Sequence, residues 1–144
     1  MTKQNKKSGL DWLCRELLSS PYCYALCLSE EAFHGELKRL DVPERRWPEF
    51  MKTTYAHATT SFFETLDGAE NCAIVTIHPN KDREIEQVYA LLVHEAVHIW
   101  QATKEVIGED HPGKETEAYA IQRIAQSLMF SYKEQTAKKP ARKK

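Results

Sequence analysis

The stretch from Asp82 to Lys104 constrains the fold of this chain more than any other, because apolar residues recur through it at helical spacing. Ile85, Val88, Tyr89, Leu92, Ala96, Ile99 and Trp100 follow the rhythm of one buried helical face. The spacing therefore predicts a long amphipathic helix lying against a core. Asn80 or Asp82 is placed to cap it, and Glu84 and Glu86 suit the positive end of its dipole.

That helix carries His94-Glu95-Ala96-Val97-His98. Two histidines four residues apart project from one face about a turn apart, so both imidazoles can grip one ion. The intervening Glu95 then stands beside the remaining coordination position, where a carboxylate can act as a base on water. With six histidines in 144 residues, accidental matches to such a pattern number on the order of 0.02 per chain. Two imidazoles and a carboxylate on a largely apolar helix would be costly to bury alone, and a cation offsets that cost. Zn²⁺ is the expected ion, although nitrogen and oxygen donors accept several divalent metals.

A catalytic zinc site takes three protein ligands and keeps one position for water, so a further His, Asp or Glu is required. Asp110 and His111 lie in Gly108-Glu109-Asp110-His111-Pro112-Gly113, whose glycines and proline mark a connection between helices. Glu115 and Glu117 open a second helical stretch, running from Glu115 to about Tyr132. Its stripe of Ala118, Ile121, Ala125, Leu128 and Met129 would pack against the first helix. Glu117 is the favoured third ligand because it lies more securely inside the helix; Glu115 is the local competitor. Both also suit a first-turn role that complements the helix dipole.

His94-Glu95-Ala96-Val97-His98 followed by Glu115-Thr116-Glu117-Ala118-Tyr119-Ala120 resembles the gluzincin branch of zinc metallopeptidases. The second helix is similar to that of ImmA/IrrE-type metallopeptidases, and the compact size resembles minigluzincins and small metallopeptidases encoded by phages and prophages. The resemblance covers roughly residues 55 to 132 and implies a zincin-like domain in which a glutamate on the following helix completes the site. It also implies that a strand just before the motif helix, here Ile74 to His78, holds a peptide substrate. Gln101 and Lys104 stand where a metzincin would need its glycine and third histidine, so that branch is excluded. The fuller gluzincin signature around the glutamate is absent.

At 144 residues with 42% hydrophobic content, the chain fits one globular domain with a modest core. The reading is a flexible basic N-terminus over 1–9, a single domain over 10–133 and a basic disordered tail over 134–144. No apolar run approaches a membrane span, and the N-terminus leads into no signal-like segment, so a cytoplasmic protein is expected, in the host cytoplasm if phage-encoded. Cys14, Cys23, Cys27 and Cys72 are irregularly spaced within apolar stretches and read as reduced core thiols. A formal charge of −1 excludes a generally basic nucleic-acid surface, leaving only the tail Lys138 to Lys144 as a candidate arm for anionic partners.

The remaining pattern gives an α+β class. Leu10 to Ser19 reads as a short helix, Tyr22 to Leu28 as a strand and Glu31 to Leu40 as a helix. After the proline-punctuated Val42 to Pro48, Tyr55 to Thr65 and Cys72 to His78 read as a hairpin turning around Asp67-Gly68. A small antiparallel sheet packed on the motif helix and the glutamate-bearing helix is the expected architecture. His34, His57 and His78 belong to no metal-spaced pair, and Trp12, Trp47 and Trp100 read as packing residues. Tyr119, Tyr132 and His111 are candidate donors to a developing oxyanion.

The leading functional expectation is peptide hydrolysis by a zinc-activated water, with His94, His98 and Glu117 as ligands and Glu95 as general base. Its partner would be a peptide or protein substrate. The alternatives are a zinc-stabilised binding or assembly protein, and a regulator that cleaves or sequesters a transcription factor.

Overall fold

The computed structural model describes residues 9–13, 20–53, 56–64, 70–78 and 80–137. It is an α+β fold: β1 (Tyr22–Cys27), α1 (Glu30–Arg39), a short 3₁₀ turn (Glu44–Arg46), β2 (Ala58–Glu64), β3 (Asn71–Ile77), α2 (Ile85–Ile107) and α3 (Lys114–Thr136). Among the described residues, no helix is long and apolar enough to cross a membrane.

The sheet is mixed, which corrects the expected all-antiparallel arrangement. Strand order is β1-β3-β2, with β2 antiparallel to β3 as a hairpin but β1 parallel to β3. A parallel neighbour needs a crossover connection, and α1 lies within the one that separates β1 from β3. Ser29 starts that helix: its Oγ accepts from the Ala32 backbone N–H at 3.2 Å, with Glu30 and Glu31 in the first turn.

Alternation along the strands divides the core into two clusters. Leu26, Val75 and Ile77 face Leu92, Ile99 and Trp100 of α2 and Ile124 and Leu128 of α3. Ala25, Cys27 and Ile74 point to the other face, against Phe33 and Leu37 of α1. β3 is accordingly buried from Cys72 to Ile77, as befits a central strand covered on both faces.

The expected caps of the motif helix are corrected. Asn80 Oδ1 accepts from the Asp82 N–H at 2.9 Å, forming a turn ahead of the helix, and Glu84 is the N-cap, closing a capping box with Gln87. At the other end Gly108 takes φ 68°, and the N–H groups of Gly108 and Glu109 bond Glu105 O and Lys104 O. This Schellman arrangement stops α2 and turns the chain back into α3.

Two further boundaries differ from expectation. Residues 14–19 of the expected first helix lie outside the described residues, and Leu10 to Leu13 is not helical; Leu13 forms an antiparallel bridge with Tyr24. α3 continues through Thr136, past the expected start of the tail at 134, because Gln135 Nε2 donates to Leu26 O at 2.9 Å and ties the last turn to β1. The expected arm Lys138 to Lys144 and the hairpin turn at Asp67-Gly68 lie outside the described residues.

Candidate metal centre

The helical repeat of α2 brings His94 and His98 together on an exposed face, with their Nε2 atoms 3.0 Å apart. Two imidazoles bound to one tetrahedral zinc, with Zn–N near 2.05 Å, hold their nitrogens about 3.3 Å apart, so the pair is already near chelating separation. Their rings stand at 81° with centroids 4.7 Å apart. His98 Nδ1 lies 3.2 Å from Gln101 Oε1. With the amide oxygen accepting from Nδ1–H, that tautomer of His98 would leave Nε2 its lone pair for a cation. The sequence marks Gln101 only as a residue in the place of a metzincin glycine; its position three residues after His98 is the signal for this supporting role.

Glu95, one residue round the helix, is 3% exposed and points toward the hairpin. Thr60 Oγ1 of β2 donates to Glu95 Oε2 at 2.6 Å. Oε1 has no hydrogen-bond partner among the described residues, and the carboxylate lines a cleft of about 730 Å³ together with His94, His57, Arg83 and Gln87. One oxygen is thus anchored and the other is available to a reactant. Thr60 was invisible as a site residue in the sequence, because a threonine in an alternating strand gives no sign of which carboxylate it meets.

The structure does not bring Glu117 to the histidine pair. Its Oε2 accepts from Trp100 Nε1 at 3.0 Å and from Lys104 Nζ at 3.1 Å. Trp100 and Lys104 lie about 120° around α2 from the His94/His98 stripe, and Lys104 is about 9 Å further along the axis than His98. The short turn between the helices fixes that antiparallel pairing, which puts the start of α3 beside the end of α2. These two donors and the Lys104 charge hold the Glu117 carboxyl below the usual carboxylate value. Among the described residues no group of three His, Cys, Asp or Glu side chains is assembled to hold a metal. The donor set therefore fits a metal in its two imidazoles, while the third protein ligand is not in place.

Of the other sequence candidates, Asp110 and His111 are exposed in the turn beyond α2, and Glu115 is exposed at the start of α3. Neither Tyr119, Tyr132 nor His111 lines the cleft beside His94 and Glu95. Tyr119 is exposed on α3, and Tyr132 packs against the main core. Trp12, Trp47 and Trp100 are packing residues whose indole N–H groups reach Glu36, Val42 O and Glu117.

The expected substrate edge also moves. Ile74 to His78 is in or beside the central strand, whose hydrogen-bonding groups are taken by β1 and β2, so it cannot add a strand. The edge nearest α2 is β2. His78 N donates to His57 O at 2.9 Å, and the pairing then alternates so that Ala58, Thr60 and Phe62 turn their peptide groups outward. Lys52 Nζ caps one of these at 2.9 Å, on Thr60 O. Comparison with protein-family models, with curated protein sequences and with solved structures gave no match.

Proposed function

We propose that this protein is a zinc-dependent metallopeptidase in which His94 and His98 hold the ion and Glu95 handles the proton. The observation that carries the reading is the convergence of the two Nε2 atoms at 3.0 Å beside a carboxylate with one anchored and one open oxygen. Bound there, the ion would supply a Lewis acid and lower the pKa of a water toward about 7. Glu95 Oε1 would take the proton of the water that attacks a peptide carbonyl and return it to the leaving amine, while Thr60 keeps the carboxylate from rotating. Glu117 is the proposed third ligand, and to serve it must leave Trp100 and Lys104 and cross to the His94/His98 face of α2. The outward peptide group of Ala58, which lines the cleft, supports an extended peptide as substrate.

A catalytic role is favoured over a purely structural zinc because His94 and His98 stand exposed on α2, outside the core. The buried Cys27 thiol, which donates to Ser29 O, suits a reducing compartment such as the cytosol. The deciding experiment is metal analysis of the purified protein together with digestion of a peptide mixture by wild type and Glu95→Gln. One zinc per chain in both and cleavage by wild type alone are expected; equal cleavage by both would refute the assigned base.

A further inference from the structure

The cleft beside His94 and Glu95 ends at a fixed cation. Arg83, immediately before the N-cap of α2, donates from Nη1 to His78 O at 3.1 Å, and its Nη2 lies 3.2 Å from His57 Nδ1. His57 and His78 are the pair at the open end of the β2–β3 hairpin, so the guanidinium is clamped across that end. A guanidinium has five N–H donors and no acceptor, so His57 Nδ1 accepts and both protein partners are uncharged acceptors. No carboxylate among the described residues lies within ion-pair distance of Arg83. Asp82 lines the same cleft but does not pair with it.

A guanidinium held by uncharged groups, with no carboxylate at ion-pair distance, keeps its fork preset, which is the arrangement that selects a carboxylate. The spacing of the cleft wall sets where that carboxylate falls. Gln87, Leu91 and His94 line it along α2, and seven helical residues span about 10 Å. An extended strand advances about 3.3 Å per residue, and His57, which meets Arg83, precedes Thr60, which meets Glu95, by three residues, so a peptide along this edge has about three residues between the Arg83 end and Glu95.

We propose that Arg83 is a specificity-determining residue that anchors a substrate carboxylate about three residues from the hydrolysed bond. The inference rests on the reading of His94, Glu95 and His98 as the active site. The carboxylate is either an acidic side chain or the C-terminus of the peptide; the chemistry that recognises them is the same.

The test is a fluorogenic peptide series carrying Glu or Gln at successive positions around the cleaved bond, each with a free or amidated C-terminus. Hydrolysis is measured with zinc-loaded wild type and Arg83→Gln, and binding with wild type, Glu95→Gln and Arg83→Gln by fluorescence anisotropy. Wild type is expected to prefer a carboxylate at about the third residue by about tenfold or more, mostly in KM, and Arg83→Gln to lose that difference. A Glu/Gln difference assigns the side chain, and a free/amidated difference assigns the terminus. Hydrolysis indifferent to the carboxylate, or a preference that survives in Arg83→Gln, overturns the proposal and leaves the active-site reading intact. Carboxylate-dependent binding lost in Arg83→Gln, with no peptide hydrolysed by wild type, overturns the active-site reading and leaves the anchor. Absence of both overturns both.

Discussion

The Thr60 hydroxyl donates a 2.6 Å hydrogen bond to Oε2 of Glu95, joining the edge strand to the motif helix at a point where both residues are buried. Thr60→Val keeps the shape of the side chain and removes the donor. A buried carboxylate oxygen left without its partner costs about 1–3 kcal/mol, so chemical denaturation should show a loss of that size. Peptide hydrolysis should fall through kcat, with zinc content unchanged, and Thr60→Ser should recover most of both losses. A stable, fully active Thr60→Val protein would show that the bond neither positions Glu95 nor supports the fold.

His94 and Glu95 are adjacent in sequence but separable in role. His94→Ala should abolish stoichiometric zinc by metal analysis, because it removes half of the two-imidazole chelate. Glu95→Gln should retain zinc and lose about 10²–10⁴-fold in turnover, the usual contribution of a positioned acid-base group.

Gln101 holds His98 through Nδ1, at 3.2 Å. Gln101→Ala removes the acceptor that fixes the imidazole tautomer, and zinc affinity should drop about 10–100-fold by competition with a chromophoric chelator. Thermal stability of the metal-free protein should hardly change, since Gln101 is exposed. Unaltered affinity would exclude an orienting role.

Glu117 gives two readouts that separate a ligand from a helix clamp. Trp100 and then Lys104 hold its carboxyl below the ordinary value of 4.5 in the folded, metal-free protein. A group depressed on folding contributes stability that is complete above its unfolded pKa and is lost as pH falls through its lower folded pKa. Acid unfolding should therefore show a component below about 4.5 that Glu117→Gln removes. If Glu117 also binds the metal, the same substitution should weaken zinc by more than the roughly 10–100-fold expected of an outer-shell partner. Unchanged zinc affinity with an altered acid transition assigns Glu117 to the α2–α3 contact alone.

Chelation should leave the fold standing. The histidine pair is exposed on α2, outside the core, so treatment with a strong chelator should abolish hydrolysis while far-UV circular dichroism persists. Unfolding on metal removal would instead support a structural zinc.

Much of the secondary structure was legible because it rests on local periodicity. The recurrence from Ile85 to Trp100 marked α2, and two strand-like runs on either side of Asp67-Gly68 marked the pairing of β2 with β3. The cap at Glu84 was missed because Asn80 and Asp82 have better cap chemistry, yet they form the preceding turn instead. The parallel placement of β1 was not legible, since nothing in Tyr22–Cys27 itself specifies which edge it joins. Arg83 and Thr60 were missed because neither carries a spacing signal: Thr60 meets Glu95 of α2, and Arg83 meets both strands at the end of the β2–β3 pair.

What the sequence alone determined is the pairing of His94 with His98 and the placing of Glu95 beside them, because a helix converts spacing into direction. Tertiary structure decided which strand lies at the edge, which hydroxyl anchors Glu95 and where Glu117 rests. Those depend on how separate elements dock, and docking is set by the burial of whole faces. The turn at Gly108 fixes the offset of α3 along α2, and that offset, which no local pattern encodes, carries Glu117 to Trp100 and Lys104.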